Sequence, residues 1–402
     1  MGTDFFGDTT RMKRRGFERL ENFLIQVIQQ KDTHKIPNPW IRLLLWHLKQ
    51  LSRLFESVVQ FRLFLYRCGI LRHHTLGCQV ISVGNLTVGG TGKTPVVEVF
   101  ARDLQRAGRK VAILSRGYKK REPRWIERVV DSILLRDQRR PPRIVSDGRT
   151  LLLDSDMSGD EPYMLANNLQ DVAVLVDKDR VKSGRYAIEK LGCDTLILDD
   201  GFQYLALKHR VEIVLVDRRN PFGSGYLLPR GILREPIQNL RRADFIFITK
   251  CDGRDNSALK EQIRALNPRA EISECTHRAQ YVQNVITGER HPLEFLRGLD
   301  VTALSGIAAP EGFEQELERH GATLINRERF EDHHRYAQQE ILDIINHSRE
   351  MRVDAILTTE KDSVRFPKID RCDVPIYFLR VEIQLLSGAE DFNACIARIC
   401  FR

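Results

Sequence analysis

"VISVGNLTVGGTGKTPVVEVF", Val80 to Phe100, decides the fold. Val80–Val83 reads as a short buried strand, and Pro95-Val-Val-Glu-Val-Phe begins an apolar-periodic helix. Gly84, Gly89, Gly90 and Gly92 lie between them, followed by Lys93 and Thr94. Strand, glycine loop and helix in that order are the setting of a phosphate-binding loop. Glycines let backbone N–H groups turn towards phosphate oxygens, and the helix N-terminus adds partial positive charge. Gly89, Gly90, Thr91, Gly92, Lys93 and Thr94 form the candidate nucleotide-binding set, Lys93 bridging the outer phosphates and the Thr94 hydroxyl ligating magnesium. The first glycine of the pattern G-x-x-x-x-G-K-S/T is missing, because Thr87 stands in its place.

The strand rhythm continues outward. Val111–Leu114 ends in Ser115-Arg116-Gly117-Tyr118. Ligands of doubly wound sheets sit outside the carboxyl ends of strands, so Arg116 either meets an anion or is a surface arginine at a turn. Residues 119–158, rich in Arg and Pro and without a period, read as a loop or an insertion. In "GDEPYMLANNL", Pro162 opens a helix with Asp160 and Glu161 at its start. These carboxylates either cap the helix or, beside a phosphate site, supply a base and a metal ligand. "CDTLILDDGFQ" is an apolar strand, Thr195–Leu198, running into Asp199-Asp200, the Walker-B pattern in which a carboxylate serves magnesium. "EIVLVD", Glu212 to Asp217, is one more strand. The long loop "NPFGSGYLLPRGILREP" carries Arg230, Arg234 and Glu235 and suits the clamping of a substrate phosphate. "ADFIFITKCD" ends in Thr249-Lys250-Cys251-Asp252, similar to the base-reading T/N-K-x-D of GTP-binding proteins.

From about residue 250 the segments "DVTALSGIA", "ATLINRERF", "VDAILTTEKD" and "VPIYFLRVEI" suggest a second α/β unit. Asp332-His333-His334 precedes a helical pattern. Its histidines are open to three readings: metal ligands, capping residues, or one His reaching into a cleft. No Cys/His spacing supports zinc.

The formal charge is +9, and its location matters more than its size. Residues 1–78 hold 13 Lys/Arg against 6 Asp/Glu, whereas the remainder is nearly balanced. A basic N-terminal segment points to a polyanionic surface, either nucleic acid or anionic lipid. Asn38 and Pro39 open a long helix, and Gly69 is its expected stop. Trp40, Leu44, Leu51, Leu54, Val58, Phe61 and Leu65 form one stripe, with Arg42, Lys49, Arg53, Glu56, Gln60 and Arg67 opposite and Arg62 out of pattern. Charges recur too often for a spanning helix, which needs about 20 predominantly apolar residues. The helix either packs on its own domain or lies in a membrane surface. Eight scattered cysteines without a C-x-x-C pair, and no secretory pattern at the start, fit a reduced, cytosolic chain.

Taken together, the segments resemble the tetraacyldisaccharide 4′-kinase family of lipid A biosynthesis. The resemblance runs from about residue 38 to 380 through "VGNLTVGGTGKTP", "SRGY", "GDEP", "LDDGFQ", "LLPRGILREP", "SGIAAPEGF", "FEDHHRY" and "TTEKD". It implies a P-loop NTPase-like α/β/α sandwich domain plus a second, smaller α/β domain, with the active site between them and an N-terminal amphipathic helix. The corresponding divisions are an extension over 1–37, a membrane-associating helix over 38–72, a nucleotide-binding domain over 73–248 and a C-terminal domain over 249–402. The implied reaction moves the ATP γ-phosphate to the 4′-hydroxyl of tetraacyldisaccharide 1-phosphate, giving lipid IVA, with Mg2+ as cofactor. The resemblance makes Asp160 the base and His333 its support, assigns Thr94 and Glu161 to magnesium, and completes the acidic site with Asp199 and Asp200. It turns Arg116, Gln203, Arg230, Arg234 and Glu235 towards the substrate. It also implies a peripheral position on the cytoplasmic face of the bacterial inner membrane, with no nucleic-acid partner and no protein partner.

Two other classes compete. A P-loop GTPase of the metallochaperone or targeting type would prefer GTP and, for a metallochaperone, show a Cys/His cluster. A nucleic-acid-binding module would interleave aromatic residues with Lys/Arg as stacking platforms. Here the N-terminal aromatics fall mostly on the apolar stripe.

Overall fold

Helix α1 (Pro39–Arg67) begins where the Asn38 side chain accepts the Trp40 N–H and Pro39 takes a position that needs no donor. Gly69, at φ 72°, turns the chain away beyond its end. The computed structural model describes residues 38–117, 140–369 and 372–401. The expected extension over 1–37, and positions 119–139 of the expected insertion, lie outside the described residues.

β1 (Gln79–Asn85), α2 (Lys93–Arg106) and β2 (Val111–Ser115) open the core. β3 (Arg143–Asp147), the single-turn α3 (Ser155–Ser158), α4 (Asp160–Asn168), β4 (Ala173–Val176), α5 (Arg180–Leu191) and β5 (Thr195–Asp199) follow. Next come β6 (Val211–Asp217), β7 (Phe245–Thr249), α6 (Ser257–Leu266), β8 (Glu271–Asn284) and β9 (Arg290–Pro292). β10 (Asp300–Ser305), α7 (Pro310–Arg319), β11 (Thr323–Arg329), α8 (Gln338–Glu350) and β12 (Ala355–Thr359) lead to the short α9 (Glu360–Ser363), β13 (Ile376–Ser387) and α10 (Ala389–Phe401).

The strands join one mixed α/β sheet in the order β11-β10-β12-β13-β8-β7-β6-β1-β5-β2-β4-β3, with β9 paired to β8. Pairing is parallel except at β13–β8, β8–β9 and β4–β3. The sheet continues from β7 into β8 across the expected domain division. Helices on both faces explain the near-continuous apolar strands. Ile81 and Val83 of β1 pack with Val97, Phe100 and Leu104 of α2, while Val80 packs with Leu196 and Ala187 on the opposite face.

β1 lies between β5 and β6, in a register that sets Val83 beside Asp199 and Asn85 beside Leu215. The loop leaving β1 therefore emerges beside the carboxyl end of β5. Within 140–158, β3 stands where the sequence reading expected a loop or insertion. It is a five-residue edge strand with little apolar content, which hides it from periodicity.

Helix α1 buries Leu45, Ser52 and Leu63. The Ser52 hydroxyl donates to the Leu227 carbonyl at 2.8 Å and accepts the Arg230 N–H at 3.0 Å. Lys49, on the polar side of the wheel, reaches over the Tyr226 ring. Trp40, Leu44, Leu51, Leu54, Val58 and Phe61 of the apolar stripe are exposed, and among the described residues nothing covers them.

Gly84 lets β1 approach the turn after β5: a Cβ there would lie 2.6 Å from Phe202 Cβ and 2.7 Å from its backbone nitrogen. Gly84→Ala is expected to cost about 2–3 kcal/mol as an overpacking substitution. Denaturant unfolding measures this, and an unchanged midpoint would contradict the close approach.

Candidate active site

The loop over 86–92 owes its shape to glycine at two positions. Gly89 has φ 115° and Gly92 φ 81°, which side chains rarely adopt. Thr87, at the position of the missing glycine, has no such requirement: it forms an antiparallel bridge with Leu233 and lacks a positive φ. The loop is held further by the Val88 N–H on the Ile232 carbonyl at 2.8 Å and by Asn85 Nδ2 on Thr91 Oγ1 at 2.9 Å. Lys93 and Thr94 then start α2, whose first N–H groups face the loop.

Lys93 Nζ lies 3.5 Å from Asp200 Oδ1. Arg234 donates to both Asp200 oxygens at 2.9 Å and also to Asn85 Oδ1. Burial alone would raise Asp200. The Arg234 hydrogen bonds and the Lys93 and Arg234 charges outweigh it and hold the carboxyl far below its ordinary range. Its neighbour behaves oppositely. Asp199 is buried, and burial first, then the charges of Glu161 and Asp200, push it up to about 7. Its Oδ2 accepts from Ser115 Oγ at 3.0 Å, whereas Oδ1 is buried without a partner among the described residues.

That orphaned oxygen tests whether a divalent cation suits the site. A buried carboxylate short of a partner, with Glu161 near enough to perturb it, fits an added positive charge. Among the described residues no three His, Cys, Asp or Glu side chains form a ready metal cage. Magnesium in phosphate sites does not need one, since water and phosphates supply most of its ligands.

The second group gathers around Asp160 at the start of α4. His333 Nδ1 donates to Asp160 Oδ2 at 3.1 Å, and Arg365 Nε donates to the same oxygen at 2.7 Å. Arg365, fully buried, also donates to Asp362 Oδ1 at 3.0 Å and to the Gly306 carbonyl at 3.1 Å. Burial tends to raise Asp160, but the His333 hydrogen bond and the Arg365 charge prevail and keep it below the usual carboxylate range. Lys361 Nζ lies 3.3 Å from His333 Nε2 and 3.6 Å from Glu161 Oε1. A carboxylate can only accept, so the proton of the Asp160 contact is carried on His333 Nδ1, which Arg365 Nη2 also approaches to 3.4 Å. His334 turns aside, stacking on Phe330 and bonding Glu340 at 3.0 Å.

The remaining sequence candidates divide. Arg116 is exposed just beyond β2. Gln203 donates to the Asn85 carbonyl at 3.0 Å, and its Oε1 is buried without a partner among the described residues. Arg230 is buried with its guanidinium 4.7 Å from the Tyr226 ring centroid. Glu235 is buried against Asn239 and Arg242. The structure thus places Arg234 at the acidic pair, and Arg230 and Glu235 in the packing of their loop. Sequence reading missed Arg365 and Lys361. The "TTEKD" segment flagged their neighbourhood, but nothing in the spacing tells a buried guanidinium from a surface one.

A family model described as tetraacyldisaccharide-1-P 4′-kinase matches residues 44–400. A tetraacyldisaccharide 4′-kinase from Halothermothrix orenii is 34% identical over 94% of this chain and 98% of its own length. One from Anaeromyxobacter dehalogenans is 39% identical over 85% of this chain and 87% of its own. Among solved structures, LpxK from Aquifex aeolicus in complex with ATP superposes with a TM-score of 0.67 at 29% identity, covering 89% of this chain and all of the other.

The raised Asp199 carboxyl has a consequence for stability. The folded protein holds a proton there that the unfolded chain releases near pH 4, so this residue costs stability increasingly as pH rises from about 4 to 7. Asp199→Asn is therefore expected to stabilise the fold at pH 8, by up to about 4 kcal/mol, and to change it little at pH 4. Melts without divalent cations at the two pH values measure the difference. Equal effects at both would contradict the assignment.

Proposed function

The chain belongs to the tetraacyldisaccharide-1-P 4′-kinase family, and we propose that it transfers the γ-phosphate of ATP to the 4′-hydroxyl of tetraacyldisaccharide 1-phosphate, giving lipid IVA. The observation that carries the reading is the phosphate loop itself, with Lys93 beside Asp200 and the β5 carboxylates at its mouth.

Phosphoryl transfer asks mainly for positioning and charge neutralisation. The loop N–H groups and the start of α2 receive the nucleotide phosphates. Lys93 bridges the outer ones, already aligned by Asp200, which Arg234 holds in place. Thr94, Asp199 and Glu161 would hold Mg2+, which neutralises charge across the phosphates when bound. Arg116, exposed beyond β2, faces the phosphates or the disaccharide, and Gln203 holds the end of β1 through the Asn85 carbonyl. Arg230 and Glu235 shape the loop on that side.

Asp160 accepts the hydroxyl proton, with His333 orienting it. The His333 hydrogen bond and the Arg365 charge hold this carboxyl below its usual range, which makes it a weak base. That suits a loose transition state, in which the nucleophile needs little deprotonation before attack.

The exposed stripe of α1 supports a peripheral membrane position on the cytoplasmic face of the inner membrane, where an acylated disaccharide is met in its bilayer. No helix among the described residues is long and apolar enough to cross a membrane. A GTPase is the less favoured reading, because Asp252 of the "TKCD" segment pairs with Arg218 at 2.9 Å.

Incubation with ATP, magnesium and tetraacyldisaccharide 1-phosphate in detergent micelles should yield a product carrying one added phosphate. Asp160→Ala is expected to lower kcat by about 100-fold or more, the usual worth of a general base. No product from wild-type protein that binds GTP in preference to ATP would favour the GTPase. For the helix, Leu54→Glu with Phe61→Glu should weaken binding to anionic vesicles at least about tenfold, since each side chain contributes roughly 1.5–3 kcal/mol when buried. Both residues are exposed, so the melting temperature should hold. Undiminished vesicle binding would remove the helix from the membrane.

A further inference from the structure

The "TKCD" segment resembles a base reader in sequence, yet its first two side chains turn to the phosphate loop. Thr249, at the end of β7 and fully buried, donates its hydroxyl to the Thr91 carbonyl at 2.9 Å. Lys250 Nζ donates to the Gly90 carbonyl at 2.5 Å and is fixed from its other side by Asp217 Oδ2 at 2.6 Å. Lys250 holds φ 58°, a left-handed conformation uncommon outside glycine. Asp200, which meets Lys93 of the loop, is another of the five non-glycine residues with positive φ among the described residues.

A trans peptide unit is planar, and its C=O and N–H point in opposite directions. Drawing the Gly90 carbonyl towards Lys250 therefore turns the Thr91 N–H the other way. Drawing the Thr91 carbonyl towards Thr249 does the same for the Gly92 N–H. Among the described residues neither N–H has an acceptor within the chain. His277 packs behind Gly92, where an added Cβ would lie 2.9 Å from its ring. The back of the loop is thus held by Thr249 and Lys250 at the end of β7 and by His277 of β8, with Asp217 of β6 fixing Lys250.

We propose that Thr249 and Lys250 are positioning residues that aim the Thr91 and Gly92 N–H groups at the nucleotide's phosphates, so that this segment sets phosphate affinity and does not read the base. The proposal rests on the kinase reading only in taking residues 86–94 as the nucleotide site.

The test compares Thr249→Val, Thr249→Ser and Lys250→Met for binding of ATP, GTP and inorganic tripolyphosphate by calorimetry, with a thermal melt as fold control. Tripolyphosphate has no base. Positioning predicts that removing the hydroxyl in Thr249→Val, or the ammonium in Lys250→Met, weakens ATP and tripolyphosphate by the same factor, on the order of tenfold. Thr249→Ser keeps the hydroxyl and should bind both like wild type. In turnover, KM for ATP should rise in the two weakened variants while KM for the lipid stays. A loss confined to ATP, or a shifted ATP-to-GTP ratio with tripolyphosphate unchanged, would make the segment a base reader and overturn the proposal. Unchanged binding throughout would overturn it as well, leaving the nucleotide site intact. Wild-type protein that binds neither ATP nor tripolyphosphate would instead remove the site, and the kinase reading with it. Should Thr249→Val melt early, Lys250→Met decides alone, because its side chain is partly exposed and lies outside the core.

Discussion

The arrangement around the candidate base depends on one buried guanidinium. Arg365 has no exposed side-chain surface, yet it touches Asp160 at the start of α4, Asp362 in α9 and the Gly306 carbonyl after β10. Two carboxylates this deeply buried would repel each other and favour protonation. The Arg365 guanidinium lies between them, and with the His333 hydrogen bond it keeps Asp160 below the usual carboxylate range. Removing one partner of such a group is costly, about 3–5 kcal/mol, because the remaining charge is left uncompensated. Arg365 therefore fixes more than a side chain. It ties a helix from the first half of the chain to two segments from the second half, and His333 meets Asp160 only because those segments are held together.

The acidic pair at the end of β5 shows how backbone conformation separates two like residues. Asp199 closes the strand and keeps its register beside Val83, with its side chain in the interior. Asp200 follows at φ 56°, so the chain turns and its carboxylate leaves the strand for Lys93 and Arg234. One carboxylate is thus saturated with cations and held low, while the other keeps an unpartnered oxygen and is raised. Neighbouring carboxyls whose environments drive their proton affinities apart are the pattern expected where two roles are divided between them. In the proposed reaction, Asp200 aligns the lysine and Asp199 is kept for the metal.

Much of this was legible in the sequence because it depends on local pattern. The α1 cap, the strand–loop–helix around Lys93 and the apolar runs ending in Asp199, Asp217 and Thr249 all follow from spacing and composition. β3, β4 and β8 escaped: β3 is a short edge strand with little apolar content, β4 a buried run of only four residues, and β8 a long strand of mixed polarity. The site residues divide along the same line. Lys93, Asp199 and Asp200 sit in motifs whose geometry is local. The meeting of Asp160 with His333 and Arg365 spans 173 and 205 residues of sequence, and no periodicity reports such a contact. Arg234 reads in the sequence as a clamp for a substrate phosphate, and in the structure it clamps Asp200. At "TKCD" residue types alone do not show that Thr249 and Lys250 bond carbonyls of the phosphate loop or that Asp252 pairs with Arg218.

The helix at the start of the described chain gains its meaning from what it is attached to. Its apolar stripe faces outward, and on its inner side Ser52 holds both the Leu227 carbonyl and the Arg230 N–H. Lys49 reaches over Tyr226 and Gln60 lies 3.4 Å from Asn239, so contacts from both ends of the Lys49–Gln60 stretch fall on the one connection between β6 and β7. That connection also supplies Leu233, which bridges to Thr87, and Arg234, which clamps Asp200. A helix resting on a bilayer through its outer stripe would therefore hold, through its inner side, the same segment that shapes the phosphate loop. The acceptor of the proposed reaction is anchored in the bilayer by its acyl chains, whereas the nucleotide comes from water. An enzyme joining the two needs a fixed relation between the lipid surface and the phosphate site. Hydrogen bonds to that connection provide the relation more rigidly than a flexible linker would.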